Sequence, residues 1–482
     1  MAIDTTTQTS PAATTPPGVP RLSTREKLVL FVLCAAQFMV ALDFSVLNVA
    51  LPDLGRDLGM SQSALQWAVT AFALPSGGFL LLFGRVGDLF GRRGLFLTGL
   101  AVFGAASLLS TLAWDPASFL AGRALQGIGA AAIVPTGMSL LTTTFPEGPA
   151  RDRALGISGT LLSLGFTIGM VAGGTLTDTF GWRSTMALLT VFALIVLPPA
   201  PGLLPKTPPR GPQGAAGAPE RPRLDVPGAV TVTTGLLSLI YALSTAADHG
   251  FGRADVIAAL IAGLVLLTAF AIVESRSAAP LVSLPMLRRR TVAWGNLGGL
   301  VTFSMMSTIV FVLTLYLQEI LRLSAFETGL VFGVQGLLSV VAGTLAPKVI
   351  GRLGARRTLV CSLTGQGALI ATLLLLDTHG WSAWLATAAV ALASMCHLGA
   401  IISYGLTVTS GVPDEEQGLA TGLVTSTQQV GITIGIPLLG VLATTSGDLL
   451  SGVHTVVALD AAIVLAAAAL IGLALRRAQS RT

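Results

Sequence analysis

Charge is what this sequence has least of. Only 11% of its 482 residues are Asp, Glu, Lys or Arg, against roughly 25% in a soluble domain. So few charges cannot cover a water-facing surface, which excludes a soluble globular protein and leaves an integral membrane protein. Lysine is rarer still, at three of the 28 basic residues. None of the three follows a glycine, so there is no Gly-x-x-x-x-Gly-Lys-Ser/Thr phosphate loop and no basis for ATP drive within the chain. His-Glu-x-x-His, Gly-x-Ser-x-Gly and Gly-x-Gly-x-x-Gly are also missing, so enzymatic chemistry has no candidate site. No metal or cofactor is expected. The three cysteines, Cys34, Cys361 and Cys396, lie within or beside apolar runs and form no Cys-x-x-Cys pair. That excludes a disulfide framework and reads as small core residues.

What remains is oil, in long runs. A bilayer core needs about twenty apolar residues in helical form. Such runs begin near Leu28, Ala64, Leu95, Ala117, Leu155 and Ser184, and resume near Pro227, Ala254, Val292, Glu327, Thr358, Ala383, Gly418 and Val453. The expected fold is therefore all-α and integral to the membrane, with fourteen transmembrane helices. Residues 1–27 read as a disordered cytoplasmic tail, because 1–20 are Thr- and Pro-rich with little to bury. The Pro/Gly-rich 205–226 stretch reads as a cytoplasmic linker. With the N-terminus inside, 23 of the 28 basic residues fall in inner segments, and outer segments hold only Arg56, Arg183, Arg253 and Arg322. This asymmetry puts both termini in the cytoplasm. The remaining basic residue, Arg123, lies inside a span.

The chain repeats itself. RVGDLFGRRG at 85 recurs as KVIGRLGARR at 348, an offset of 263, and GFTIG at 165 recurs as GITIG at 431, an offset of 266. Pro146 pairs with Pro413 and Gly156 with Gly422 at offsets of 267 and 266. Two pseudo-symmetric six-helix bundles follow, 28–204 and 291–476. An inserted helix pair lies between them at 227–275, then a basic cytoplasmic loop at 276–290, and a short cytoplasmic tail closes the chain at 477–482. Parallel repeats around a midplane cavity are a transporter architecture.

These motifs resemble the major facilitator superfamily, in its fourteen-helix drug:proton antiporter branch. LDFSVLNVALPDL (42–54) is similar to that branch's first-helix signature, and GRVGDLFGRRG (84–94) to the superfamily's loop between helices two and three. RALQGIGAAAIVP (123–135) resembles the fourth-helix motif and GFTIGMVAGG (165–174) the fifth-helix antiporter motif, with Met170 where that motif usually has Pro. The resemblance implies alternating access. It also implies that Arg85, Asp88 and Arg92 form a latch between the bundles in the outward-open state. The glycines of that loop permit a tight turn, and its arginines hold it inside.

The charges are not repeated with the scaffold. At an offset of 263 Asp43 maps onto Met306 and Asp88 onto Gly351, while Arg123 maps into 386–389. Charge chemistry is therefore expected in the N-terminal bundle. Asp43 lies 9 residues before Pro52, about 13 Å below the outer surface; Arg123 lies 7 residues after Pro116 on an antiparallel helix, about 10 Å below it. The two share a depth where an unpaired charge is costly. Asp43 is expected to be the proton-coupling site and Arg123 its tuner, with Gln126 one turn away able to orient either. Burial favours a neutral carboxyl and a guanidinium favours the anion, so a balanced group can load a proton on one side and lose it on the other. Gly165, Gly169 and Gly173 make a smooth stripe, read either as an interface for sliding between bundles or as ordinary close packing. Gln37, Asn48, Gln126, Asn296, Gln335 and His397 are candidate polar groups of a substrate cavity, or interhelical contacts. Glu319 and Asp460 lie nearer the outer edge.

The expected function is proton-coupled export of amphipathic drugs or antibiotics across a bacterial cytoplasmic membrane. Arg-rich, Lys-poor composition with abundant Ala and Gly suggests a GC-rich bacterial genome. The partners are a small amphipathic substrate, protons and the lipid bilayer, with no nucleic acid, and the chain is expected to act as a monomer. An importer on the same fold, or a transporter-shaped sensor that moves nothing, are the alternatives.

Overall fold

A computed structural model describes residues 23–60, 62–145, 149–205, 226–250, 252–276, 284–410, 412, 417–440, 442 and 448–479. Most of the expected N-terminal tail and the linker lies outside the described residues, as does part of the basic loop. So does the end of the C-terminal tail.

The described chain is helical from end to end. The first group is α1 (Thr24–Leu58), α2 (Gln62–Gly78), α3 (Leu80–Phe90), α4 (Arg92–Thr111), α5 (Pro116–Thr144), α6 (Pro149–Phe180), α7 (Arg183–Val196) and the single turn α8 (Ala200–Leu203). Then come α9 (Val226–His249), α10 (Ala254–Arg276) and the turn α11 (Leu284–Leu287). The last group is α12 (Arg290–Leu315), α13 (Ala325–Leu353), α14 (Ala355–Ala371), α15 (Trp381–Thr409), α16 (Gln417–Gly435) and α17 (Leu449–Gln479). Short π-helical turns follow α12 (Tyr316–Ile320) and α16 (Ile436–Gly440).

The helix starts are written locally. Ser23 and Glu26, Asp115 and Ser118, and Ser324 and Glu327 form reciprocal capping boxes at the heads of α1, α5 and α13. Each satisfies amides that have no partner inside the helix. Gly59 closes α1 in the left-handed conformation with φ 64°, which costs glycine nothing.

Each expected apolar run falls on a helix, but only eleven described helices are both long and apolar enough to cross a membrane, with Pro227–Leu239 a shorter apolar one. The physical reason is clearest in the second run. Helix geometry lapses at Phe79, so that run divides into α2 and α3, and α2 keeps only 17 residues. Pro75 in its last turn and the Gly77–Gly78 pair weaken the helix there.

α1 packs on α5, α6 and α7, α4 packs on α5 and α7, and α2 packs on α5. In the last group α12 packs on α15, α16 and α17, α14 packs on α15 and α17, and α13 packs on α15. α6 against α13 and α2 against α16 join the two groups, while α9 and α10 pack on each other and α9 on α2. Phe96, Phe103 and Phe119 fill the first interior, and Phe311, Phe332 and Tyr404 the second. Leu194, Leu264, Val265 and Leu337 stand on outer faces more than half exposed. Contiguous apolar surface of this kind is covered by lipid in a bilayer.

The turn between α14 and α15 is tied by Asp377. Desolvation opposes its charge, but the Ser382 hydroxyl at 2.7 Å, the His379 amide at 2.7 Å and the His379 ring hold the carboxyl down at about 2. A carboxyl held below its ordinary value of 3.8 stabilises the fold above that pH. Its contribution is lost only as pH falls through about 2. Asp377→Ala is therefore expected to lower the melting temperature at pH 7 by more than it does below pH 2, read by nephelometric or dye-based unfolding of the purified protein.

Candidate functional site

Close helix packing comes first. The GRALQGIGAA stretch of α5 carries Gly122, Gly127 and Gly129 where side chains cannot fit. A methyl on Gly129 would lie 2.8 Å from the Gly99 carbonyl of α4; one on Gly127 would strike the Phe72 carbonyl of α2. Glycine here lets three backbones approach, and the two polar side chains on the same stretch are thereby driven into the interior.

Those side chains are Arg123 and Gln126, and they meet Asp43 of α1. Arg123 Nη1 donates to both carboxylate oxygens of Asp43, at 2.6 and 2.8 Å, and to Gln126 Oε1 at 2.9 Å. Arg123 Nε donates to the Ala68 carbonyl at 3.1 Å, and the guanidinium carbon lies 4.6 Å from the centre of the Phe72 ring. Gln126 Nε2 donates to Ser107 Oγ at 2.8 Å and to Asp43 Oδ1 at 3.4 Å. Asp43, Arg123 and Gln126 are each 0% exposed. Two buried opposite charges attract strongly, but desolvation opposes the gain, so such a pair is weak evidence of stabilisation. Arg123 Nη2 is buried without a hydrogen-bond partner, so the guanidinium is not fully satisfied in this state.

The glycine stripe has a defined partner. Gly165 faces Phe38 and Ala41, Gly169 faces Ser45, and Gly173 faces Val46, all on α1. The stripe thus packs α6 onto a helix of its own group, not onto α13. Gly431 and Gly435 repeat the arrangement against Leu300, Phe303 and Ser304 of α12. The seam with α13 runs along the neighbouring face of α6. There Gly174 meets Ala325, Gly329 meets the Met170 carbonyl, Gly333 meets Val171 and Gly336 meets Thr167.

The cavity candidates divide into two sets. Gln37 accepts from Ser158 at 3.3 Å, and Asn48 Nδ2 donates to the Phe44 carbonyl at 2.6 Å. On the other side Asn296 accepts from Thr427 at 2.8 Å, and His397 Nδ1 lies 2.9 Å from Thr302 Oγ1, which donates to Gln366 at 2.6 Å. Gln335 Oε1, Gln37 Nε2 and Asn48 Oδ1 are buried with no partner. No described hydrogen bond joins one set to the other. Arg92 starts α4; Arg85 and Asp88 lie on α3, and their side chains lie outside what the structure describes. Among the described residues no group of three or more His, Cys, Asp or Glu could hold a metal ion.

Sequence reasoning missed the polar ties across the seam. Asp178, in the last turn of α6, accepts from the amides of Ala325 and Phe326 at 3.2 and 3.0 Å. It thus caps α13, a favourable place for a carboxylate. Gln318 donates to the Val49 carbonyl at 2.9 Å. Both ties lie at the end that carries the α1–α2 turn. Beside them a cavity of about 380 Å³ is lined by Asp53, Asp57, Asp178, Trp182 and Arg183 among others. Towards the other end Gly156, Gly159 and Gly351 face open space. Nothing local marks Asp178; its partners are 147 and 148 residues away.

A polytopic helical bundle with, among the described residues, one sealed ion pair and a seam between two helix groups defines a class, that of multi-pass membrane transporters. The model of the Major Facilitator Superfamily matches residues 33–343 and 295–482, and the chain belongs to that family. It is a transporter, not an enzyme. It is 37% identical over 437 residues to the cephamycin export protein CmcT of Amycolatopsis lactamdurans, covering 88% of this chain and 85% of the relative. It is 36% identical over 426 residues to the puromycin resistance protein pur8 of Streptomyces alboniger, covering 86% and 81%. The crystal structure of the POT family transporter PepTSo superposes with a TM-score of 0.73 at 15% identity, covering 96% of this chain and 100% of that one. At that identity the likeness is one of fold.

Proposed function

We propose that the protein exports amphipathic drugs or antibiotics across the bacterial cytoplasmic membrane by proton-coupled antiport. The observation that carries the reading is the sealed Asp43–Arg123 pair, a carboxylate in the interior of the first group whose two oxygens both accept from one guanidinium nitrogen. The named activities of the relatives, cephamycin export and puromycin resistance, support export. A proton and a drug compete for the carboxylate, so each releases the other. A charge crossing 100 mV is worth about 2.3 kcal/mol, enough for roughly a fortyfold concentration ratio.

Fourteen spans accommodate this reading, with 28–204 and 291–476 as bundles and α9–α10 as an inserted pair. Both termini are then cytoplasmic, and the sealed end faces outwards. Alternating access opens the α6–α13 seam. The loop bearing Arg85, Asp88 and Arg92 latches the cytoplasmic side in the opposite state. The direct test uses the full chain in vesicles with an acidified lumen: a panel including puromycin and a cephamycin is added, and lumenal pH is followed. Alkalinisation driven by a drug is expected; binding without any pH change would identify a sensor instead.

The outer ties give a separate expectation. Asp178→Ala removes a helix cap of about 1 kcal/mol, a shift of about fivefold towards the outward-open state. Spin labels at Phe180 and Phe326, in a background with Cys34, Cys361 and Cys396 replaced, should then show a larger long-distance population. An unchanged distance distribution rules the clasp out.

A further inference from the structure

Among the described residues two carboxylic acids have no exposed surface at all, Asp43 and Asp460. Asp43 has a guanidinium. Asp460 has nothing: neither carboxyl oxygen has a hydrogen-bond partner. It lies on α17 within the apolar Leu449–Leu475 span, 11 residues from Leu449 or about 16 Å along the helix.

Its surroundings follow from helix register. α17 packs on α12 and α14, with Val464 and Leu465 against Gly367 and Ile471 against Gly298. Counting equal rise back along α17 brings Asp460 to the level of Ile309 on α12, which is buried, and of Ala371, the last residue of α14, which is half-buried. The charged and titratable groups of the elements packed on α17 are few. α12 offers only Arg290, at its first residue, and α14 offers Arg356, Arg357 and Cys361 in its first two turns. The π turn offers Tyr316, whose hydroxyl donates to the Asp377 carbonyl at 2.5 Å, and Glu319, which lies 3.7 Å from Arg322. The Thr372–Leu375 turn and the Ile436–Gly440 turn offer none. On α17 itself His454 bonds the Leu376 carbonyl at 2.9 Å, and Arg476 and Arg477 stand at its far end, while Asp448, just before its first residue, bonds Ser451. None of these bonds Asp460.

A carboxylate stripped of water and donors is far costlier than the neutral acid. The packing also joins the group to the seam. The π turn Tyr316–Ile320 touches α17, and its Gln318 bonds Val49 on the opposite side of the seam. π turns of this kind recur at functional sites. When the seam opens, the Gln318 tie breaks, and the α12 end next to the π turn, on a helix that packs on α17, is freed to move.

We propose that Asp460 is a second proton-binding site, in the last helix group, that takes its proton from outer water while the seam is open and keeps it when the seam closes. The step is simple: hydronium gives a proton to the carboxylate, leaving water, and the carboxyl O–H bond forms; while the seam stays open the reverse exchange restores the carboxylate. The proposal deepens the antiport reading and rests on it for its role in transport.

Its test needs neither substrate nor flux. Infrared spectra of the full-length protein in liposomes at neutral pH should contain a protonated-carboxyl C=O stretch that Asp460→Asn removes and Asp43→Asn leaves in place. If Asp460→Asn folds poorly, Asp460→Leu, matched to the apolar surroundings, serves the same subtraction. The band should also fall in Gly329→Leu, whose added side chain overlaps the Met170 carbonyl and keeps the seam from closing. A band untouched by either Asp460 variant, or undiminished when the seam cannot close, overturns the proposal. Failure of antiport would show instead as absent drug-driven pH change in wild-type vesicles, whatever the spectrum.

Discussion

Asp43→Asn is expected to bring drug-driven alkalinisation of acid-loaded vesicles down to that of empty liposomes. The side chain keeps its shape and one oxygen to accept from Arg123 Nη1, which now donates to the carboxylate at 2.6 and 2.8 Å. What it loses is the ionisable carboxyl, the group proposed to exchange a proton. The Arg123 guanidinium then stays buried at 0% exposure beside a neutral amide. Removing one partner of a buried pair costs about 3–5 kcal/mol, so lowered stability alone could silence the single variant. The double variant Asp43→Leu, Arg123→Met separates the two causes. Replacing a buried ion pair by apolar residues of similar volume is often neutral or stabilising for folding. The double variant should therefore regain the wild-type melting temperature and still move no protons. Drug-driven proton flux in a well-folded double variant would sink Asp43 as the proton-coupling site.

The pair was legible because geometry needed only arithmetic. Counting from Pro52 and Pro116 set Asp43 and Arg123 at one depth, and the helical repeat put Gln126 on the face of Arg123. All three meet in the structure. The glycine stripe shows where such reading stops. Gly165, Gly169 and Gly173 announce that some helix comes close, but small residues do not say which one. The partner is α1, and the seam uses Gly174 and the Thr167–Met170 face instead. Asp178 and Gln318 were illegible for the same reason, since their partners are long-range and set by the fold alone. The divided second helix has a weaker excuse, because Pro75 and the Gly77–Gly78 pair were in view. A hydropathy run records apolar length and is blind to the backbone lapse at Phe79.

The distinction between stripe and seam makes the second large prediction. Gly169→Leu and Gly329→Leu both overfill a helix contact, but different ones. At Gly169 the new atoms meet Ser45 Cβ at 3.0 Å and the Leu42 carbonyl at 3.2 Å on α1, inside one group. That contact is needed for the group to fold, so Gly169→Leu should lower overall stability by about 1–3 kcal/mol. At Gly329 the first new carbon lies 2.5 Å from the Met170 carbonyl, across the seam. Backbone cannot yield as a flexible side chain can, so the α6–α13 contact opens. Neither helix group needs that contact for its own packing. The same 1–3 kcal/mol then falls on the closed state alone and shifts the equilibrium about 5–150-fold. Gly329→Leu should keep its melting temperature within a few degrees and lengthen the Phe180–Phe326 label distance. Transport should fall by at least about tenfold, because a cycle that cannot close this seam cannot turn over. Gly169→Leu should melt earlier with that distance unchanged. If Gly329→Leu transports normally with a closed seam, α6 and α13 do not form the gate. The moving contact must then be sought between α2 and α16, the other major junction of the two groups.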